Sequence, residues 1–107
     1  MAKTTVTKEA LAVAYSQKAL YATLHTGDPG STGANVTGSR VAITWTVGGS
    51  DGQVSGTAAI TVAASTTVTY AGFWDASTAG NFIDGGALPA SYTGAGTYTL
   101  TVTYTEN

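Results

Sequence analysis

Residues 97–105 alternate without a fault: Tyr98, Leu100, Val102 and Tyr104 stand between Thr97, Thr99, Thr101, Thr103 and Thr105. Successive side chains of an extended strand point to opposite faces, so this pattern gives one apolar face to bury and one hydroxyl-bearing face to leave in water. A helix would scatter both kinds round its circumference. The same period of two runs through Val41, Ile43, Trp45 and Val47, and again through Ala58, Ile60 and Val62. It predicts a third clear strand over residues 66–74, with Val68, Tyr70 and Trp74 on one face and Phe73 pointing the other way. Glycine-rich runs separate these stretches: residues 48–52 read as a hairpin loop, 76–80 as a turn into a short strand at 81–83, and 84–86 as another turn. Twenty-one of the 107 residues are threonine, whose β-branch suits pleated, half-exposed positions. Many short strands with glycine-rich turns predict a mainly β chain, an antiparallel β-sandwich of immunoglobulin-like or jelly-roll-like type.

Only residues 8–17 have a helical composition, with Glu9, Ala10, Leu11, Ala12, Ala14 and Gln17, and with Leu11, Ala14 and Tyr15 at helical spacing. Thr7 is placed to cap this helix, and Glu9 then falls in its first turn. Ten residues make a marginal helix alone, so it must dock on something. Residues 1–18 are read as an arm with a short helix, part of one domain whose sandwich covers 19–107. Residues 20–25 look extended. Residues 26–35 are dense in turn formers and predict a long surface loop, with 36–40 continuing it.

Charge narrows the function. Charged residues make up 9% of the chain, against about 25% in an ordinary soluble domain. Such a surface is poorly protected against association, which suits a protein that sits among partners. Lys3, Lys8, Lys18 and Arg40 are the only basic residues, too few and too scattered for phosphate contacts, so nucleic acid is not an expected partner. No run approaches the ~18 apolar residues of a membrane span, and no secretory signal is evident. The chain is expected to be made in the cytoplasm and to stay soluble until it assembles. The absence of cysteine removes disulfides, zinc–thiolate sites and a thiol nucleophile.

Catalytic chemistry finds little to work with. His25 is the sole histidine, and a Ser–His–Asp site would need it as base with Asp28, Asp51, Asp75 or Asp84 behind it. No G-x-S-x-G elbow is present. Asp75 and Asp84 flank a short predicted hairpin and are candidates for paired carboxylates, but aspartates beside glycine and serine are more often turn residues. Asp28, Asn35, Asp51 and Asp84 are oxygen donors of the kind calcium uses, without the D-x-D-x-D-G run of a calcium loop. Residues 27–33 lack the lysine of a phosphate-binding loop. The expected assignment is therefore no catalytic residue, no cofactor and no metal. Trp45, Trp74, Tyr98 and Tyr104 lie on apolar strand faces and are expected in the core. Phe73 and Tyr92 are expected at the surface, as interface aromatics or as a platform that stacks on sugars.

Leu24, His25, Thr26, Gly27, Asp28, Pro29, Gly30, Ser31, Thr32, Gly33, Ala34 and Asn35 resemble an LHTxDPGxTGAN signature. It belongs to a family of small structural proteins of tailed phages, especially those infecting actinobacteria. Arg40 with residues 41–45 is similar to that family's R-x-A-V-T-W strand, residues 66–75 to TTVTHVGLWDA, and residues 80–88 to GNFLxGGAL. The resemblance covers nearly the whole chain. It implies a virion protein of tail-fibre-like, minor tail or capsid-decoration type. Some members are longer at the C-terminus, and the shorter chain here suggests a compact decorating or tail-attached module.

The expected function is therefore a non-enzymatic virion structural protein, a homo-oligomer bound to a major capsid or tail protein lattice. The alternative is a host-surface carbohydrate-binding module. Gly27, Asp28, Pro29, Gly30 and Asn35 of the signature loop, with Phe73 and Tyr92, are the expected interface. Lys3, Lys8 and Lys18 mark residues 1–18 as an attachment arm whose removal should leave a folded domain.

Overall fold

A computed structural model describes residues 4–47 and 52–105. Lys3, Asp51 and most of the expected 48–52 hairpin loop lie outside the described residues. Helix α1 (Thr5–Lys18) starts earlier than its composition suggests. Thr4, not Thr7, is the N-cap: its hydroxyl accepts from the Thr7 backbone N–H at 3.2 Å. Glu9 therefore sits beyond the first turn, where its carboxylate accepts from the Gly52 N–H at 3.2 Å. Lys18 occupies the last turn, where a cation meets the negative end of the helix dipole.

Among the described residues seven strands follow: β1 (Tyr21–His25), β2 (Val36–Ala42), β3 (Thr44–Thr46), β4 (Gln53–Val62), β5 (Thr67–Trp74), β6 (Phe82–Thr93) and β7 (Gly96–Thr105). They form two antiparallel sheets, one in the order β2-β1-β5-β6 and the other β3-β4-β7. The sheets face each other as a β-sandwich, as the alternation predicts. The division into four and three strands is that of an immunoglobulin constant domain, with a strand order of its own. Between the sheets lie Ala22 and Leu24 of β1, Val68, Ala71 and Phe73 of β5, Ala58, Ile60 and Val62 of β4, and Leu100 of β7. Burying the larger of these, Leu24, Ile60, Val62, Val68, Phe73 and Leu100, stabilises by about 1.5–3 kcal/mol each, which makes this layer the main source of stability.

The sandwich does not cover all of the three-stranded sheet, and α1 takes over where the other sheet stops. Ala12, Ser16 and Ala19 are buried. The Tyr15 ring stacks on Tyr104 with centroids 3.9 Å apart, and meets Trp45 edge-on at 6.0 Å. Trp45 donates its indole N–H to the Ala19 carbonyl at 2.7 Å, and the Tyr15 hydroxyl donates to Asp84 Oδ2 at 2.9 Å. Burial and that carboxylate push the Tyr15 phenol well above its ordinary range, so it remains a donor at any ordinary pH. The first eighteen residues thus contain a core element, which revises the expectation that they can be removed without cost to the fold.

Other departures share one cause: irregularities that periodicity cannot show. Residues 36–40 are not loop but most of β2. The run Val41, Ile43, Trp45 is not one strand. The chain leaves the first sheet after Ala42 and enters the second at Thr44, with the Ile43 N–H donating to the Leu20 carbonyl at 3.0 Å. Both inner faces look onto one core, so the alternation survives the change of sheet. Residues 84–86 are not a turn, and β6 runs straight through them. In β5 the register against β6 shifts between Val68 and Tyr70, and the inward face changes from even to odd positions. Phe73 is consequently in the core at 6% exposure, correcting its expected place at the surface. Trp74 then falls on the outer face of the sheet, not in the core.

Candidate interaction site

On that outer face, β1 presents Thr23 and His25, and β5 presents Gly72 and Trp74, with Thr23 directly opposite Gly72. A second register shift, between Phe73 and Trp74, sets Phe82 opposite Trp74. The Phe82 ring lies edge-on to Trp74 at 5.1 Å and to His25 at 6.3 Å. Gly72 makes this arrangement possible: a Cβ there would meet His25 Nε2 at 2.5 Å and the Phe82 ring at 2.8 Å. A small polar–aromatic cluster therefore sits on the side of the sheet away from the sandwich core.

The signature loop closes over this cluster. Its ends are tied by the Thr26 N–H donating to the Asn35 carbonyl at 3.0 Å. Asp28 accepts from the Gly30 N–H at 2.9 Å, and Asn35 donates its side-chain amide to the Asp28 carbonyl at 3.1 Å. Pro29 accepts from both Gly33 and Ala34 N–H groups at 3.0 Å. Pro29 and Gly33 are buried, while Asp28, Gly30, Ser31, Thr32 and Asn35 stay exposed. The loop thus has an inner side that packs and an outer side available for contact.

A chain of hydrogen bonds fixes the histidine. His25 Nδ1 lies 2.6 Å from the Ala34 carbonyl, which can only accept, so Nδ1 carries the proton. Nε2 is then the acceptor for the Thr23 hydroxyl at 2.7 Å, and the Trp74 indole N–H donates to that hydroxyl at 3.0 Å. His25 is completely buried. Burial lowers its pKa from 6.5, and the bond to Ala34 opposes this only in part. A neutral, fully bonded ring of this kind is a structural latch and leaves no lone pair for general-base work.

This latch gives a pH prediction. The unfolded chain binds a proton on His25 near 6.5, while the folded chain resists it until lower pH. The stability it confers is complete above about pH 6.5 and falls as pH drops through the lowered folded value. The urea midpoint should decrease between pH 7.5 and 5, and His25→Asn should flatten that slope. Equal slopes in the two proteins would mean that the histidine is not the titrating group. Asp75, whose pKa is lowered by bonds from the Asn81 backbone and side chain, acts only below this window.

Arg40 completes the cluster, a role that its place before the strand in the sequence does not disclose. Against β1, β2 carries extra residues between Thr37 and Val41, and this bulge contains Arg40. Its guanidinium lies 3.8 Å from the Trp74 ring centroid and donates from one nitrogen to the carbonyls of Ala76 at 2.8 Å and Ala79 at 2.6 Å. The arginine so joins the edge strand to the β5–β6 turn. Asp75 closes the same turn by accepting from the Asn81 N–H at 2.7 Å and its side-chain amide at 2.9 Å. In the sequence, the signal for this arrangement is the arginine placed before a strand.

The remaining expected interface residues are dispersed. Lys8 and Lys18 lie on α1, half-exposed and exposed. Tyr92 is half-buried, with its ring 5.6 Å from Tyr98 against the core, which corrects its expected exposure. With Phe73 also inside, the sugar-stacking platform expected from these two aromatics is not formed. Asp75 and Asp84 are committed to different partners, Asn81 and Tyr15. Among the described residues, no three acidic or histidine side chains gather as metal ligands.

The family model described as Podophage GP4 fiber I protein gp80 matches residues 3–106. No curated protein matches the chain.

Proposed function

Because the chain belongs to the Podophage GP4 fiber I protein gp80 family, a family of tailed-phage fibre proteins, we propose that it is a non-enzymatic, fibre-like structural component of the phage tail. The match over residues 3–106 is the observation that carries this reading. The exposed side of the signature loop supports it. Asp28, Gly30, Ser31, Thr32 and Asn35 form a rigid, nearly uncharged contact surface, held from below by Pro29, Gly33 and His25. Surface loops held on a rigid scaffold commonly carry recognition. Lys8 and Lys18 contribute to attachment as charges on a docked helix, and not as a free arm. A head-bound role as a decoration protein is the competing assignment within the virion.

The test is immunogold electron microscopy of purified virions with an antibody to this chain. Gold along the tail or at its tip is the expected result. Gold over the head would replace the tail assignment by capsid decoration. Particles left unlabelled by an antibody that works on the isolated protein would remove the virion reading.

A further inference from the structure

Among the described residues four strand edges bound the sandwich: β2 and β6 in one sheet, β3 and β7 in the other. A free edge is a template for pairing, and natural proteins blunt such edges with short strands, bulges, proline or charge. Three of the four are blunted. Strand β2 is bulged and carries Arg40 in the bulge. Strand β3 is three residues long. Strand β6 breaks its pairing between Ala87 and Tyr92, includes Pro89, and exposes Asp84. Strand β7 has none of these devices. It pairs with β4 through ten consecutive positions without a shift, and residues 96–103 contain no charge and no proline. Among the described residues no strand lies on its outer side.

We propose that this edge pairs with the β7 edge of a second copy of the chain, antiparallel about a twofold axis, so that two three-stranded sheets become one of six strands. The twofold brings each residue type against its own kind, so the strand must be complementary to itself. Strand β7 is: threonine meets threonine on the outer face, apolar side chains meet on the inner face, and no like charges are brought together. A charged partner strand would find no counter-charge on it. Eight residues a side give about eight interstrand hydrogen bonds, within the ~10 ± 5 direct bonds of a specific interface. Tyr98 and Val102 are only half-buried on the inner face and gain cover in the pair. Val102 also lines a groove of about 140 Å³ at this side of the sandwich, together with Phe73, Leu88 and Leu100 among others.

The test measures mass in solution by sedimentation equilibrium on the full chain. The wild-type protein should be a dimer. The double variant Thr99→Lys/Thr101→Lys changes two exposed side chains on the outer face, and circular dichroism should show the same fold. With the axis at residue 99, 100 or 101, a lysine faces a lysine of the partner, and the dimer should weaken by about tenfold or more. Thr99→Glu/Thr101→Glu should weaken it equally, and an equimolar mixture of the two variants should recover a dimer. A wild-type monomer at the highest soluble concentration overturns the proposal. So does a dimer or trimer indifferent to both variants, or a mixture that fails to reassemble.

Discussion

Replacing Gly33 by alanine should lower stability by about 3 kcal/mol, which is on the order of 15 °C in melting temperature for a chain of this size. Two separate effects add. Gly33 has φ +76, a left-handed conformation that costs a residue with a Cβ about 1–2 kcal/mol. The added Cβ would also lie 2.5 Å from Cη2 and Cζ2 of Trp74 and 3.0 Å from the Phe82 ring. The indole cannot retreat, because its N–H is bonded to Thr23 and its face is covered by Arg40. Gly30 is the control in the same loop. It has φ +61 but open space where a Cβ would stand, so Gly30→Ala should cost only about 1 kcal/mol. Urea melts of the two variants separate backbone strain from packing. Equal losses would mean that the loop does not rest on Trp74.

Truncating Tyr15 to alanine should cost about 3 kcal/mol, and Tyr15→Phe about 1 kcal/mol. The alanine variant loses the stack on Tyr104, the edge contact with Trp45 and the hydrogen bond to Asp84 together. The phenylalanine variant loses only the last. Aromatic pairs of this kind contribute about 0.5–1.5 kcal/mol each beyond the area they bury. Deleting residues 1–18 removes Ala12 and Ser16 as well, and exposes the Val54, Trp45 and Tyr104 end of the three-stranded sheet. That truncated chain should show no cooperative unfolding transition. A sharp transition near that of the full chain would restore the idea of a detachable arm.

What the sequence made legible follows from physics that acts over a few residues. The alternation in β4 and β7 is read correctly because their ladder has no irregularity over its ten pairs, so the period of two maps directly onto inner and outer faces. The loop at 26–35 was visible because Asp28, Pro29, Gly30 and Gly33 each favour a turn for a local reason. Phe73 and Trp74 lie on faces opposite to those that the periodicity predicts, because a register shift inverts the faces beyond it and leaves no periodic trace. The sheet change at Ile43 was hidden for the opposite reason, since it preserves the alternation. The Arg40–Trp74 stack joins residues 34 positions apart, and His25 meets Thr23 only because both lie on the face the loop covers. The loop's residues were identified from the sequence, whereas the surface that they rest on required the three-dimensional register.

The stack of Tyr15 on Tyr104 has a kinetic consequence. It joins positions 89 residues apart, so α1 has no complete seat until β7 has found β4. Closing loops of that length carries an entropic cost before any contact rewards it, and β-rich chains with distant pairings fold in roughly milliseconds to seconds, far slower than helical bundles. During that interval the undefended β7 strand and the apolar side of α1 are open to other unfinished chains. Such a protein reaches its native state best when dilute or shielded by a chaperone, and high-level synthesis should push it towards aggregates.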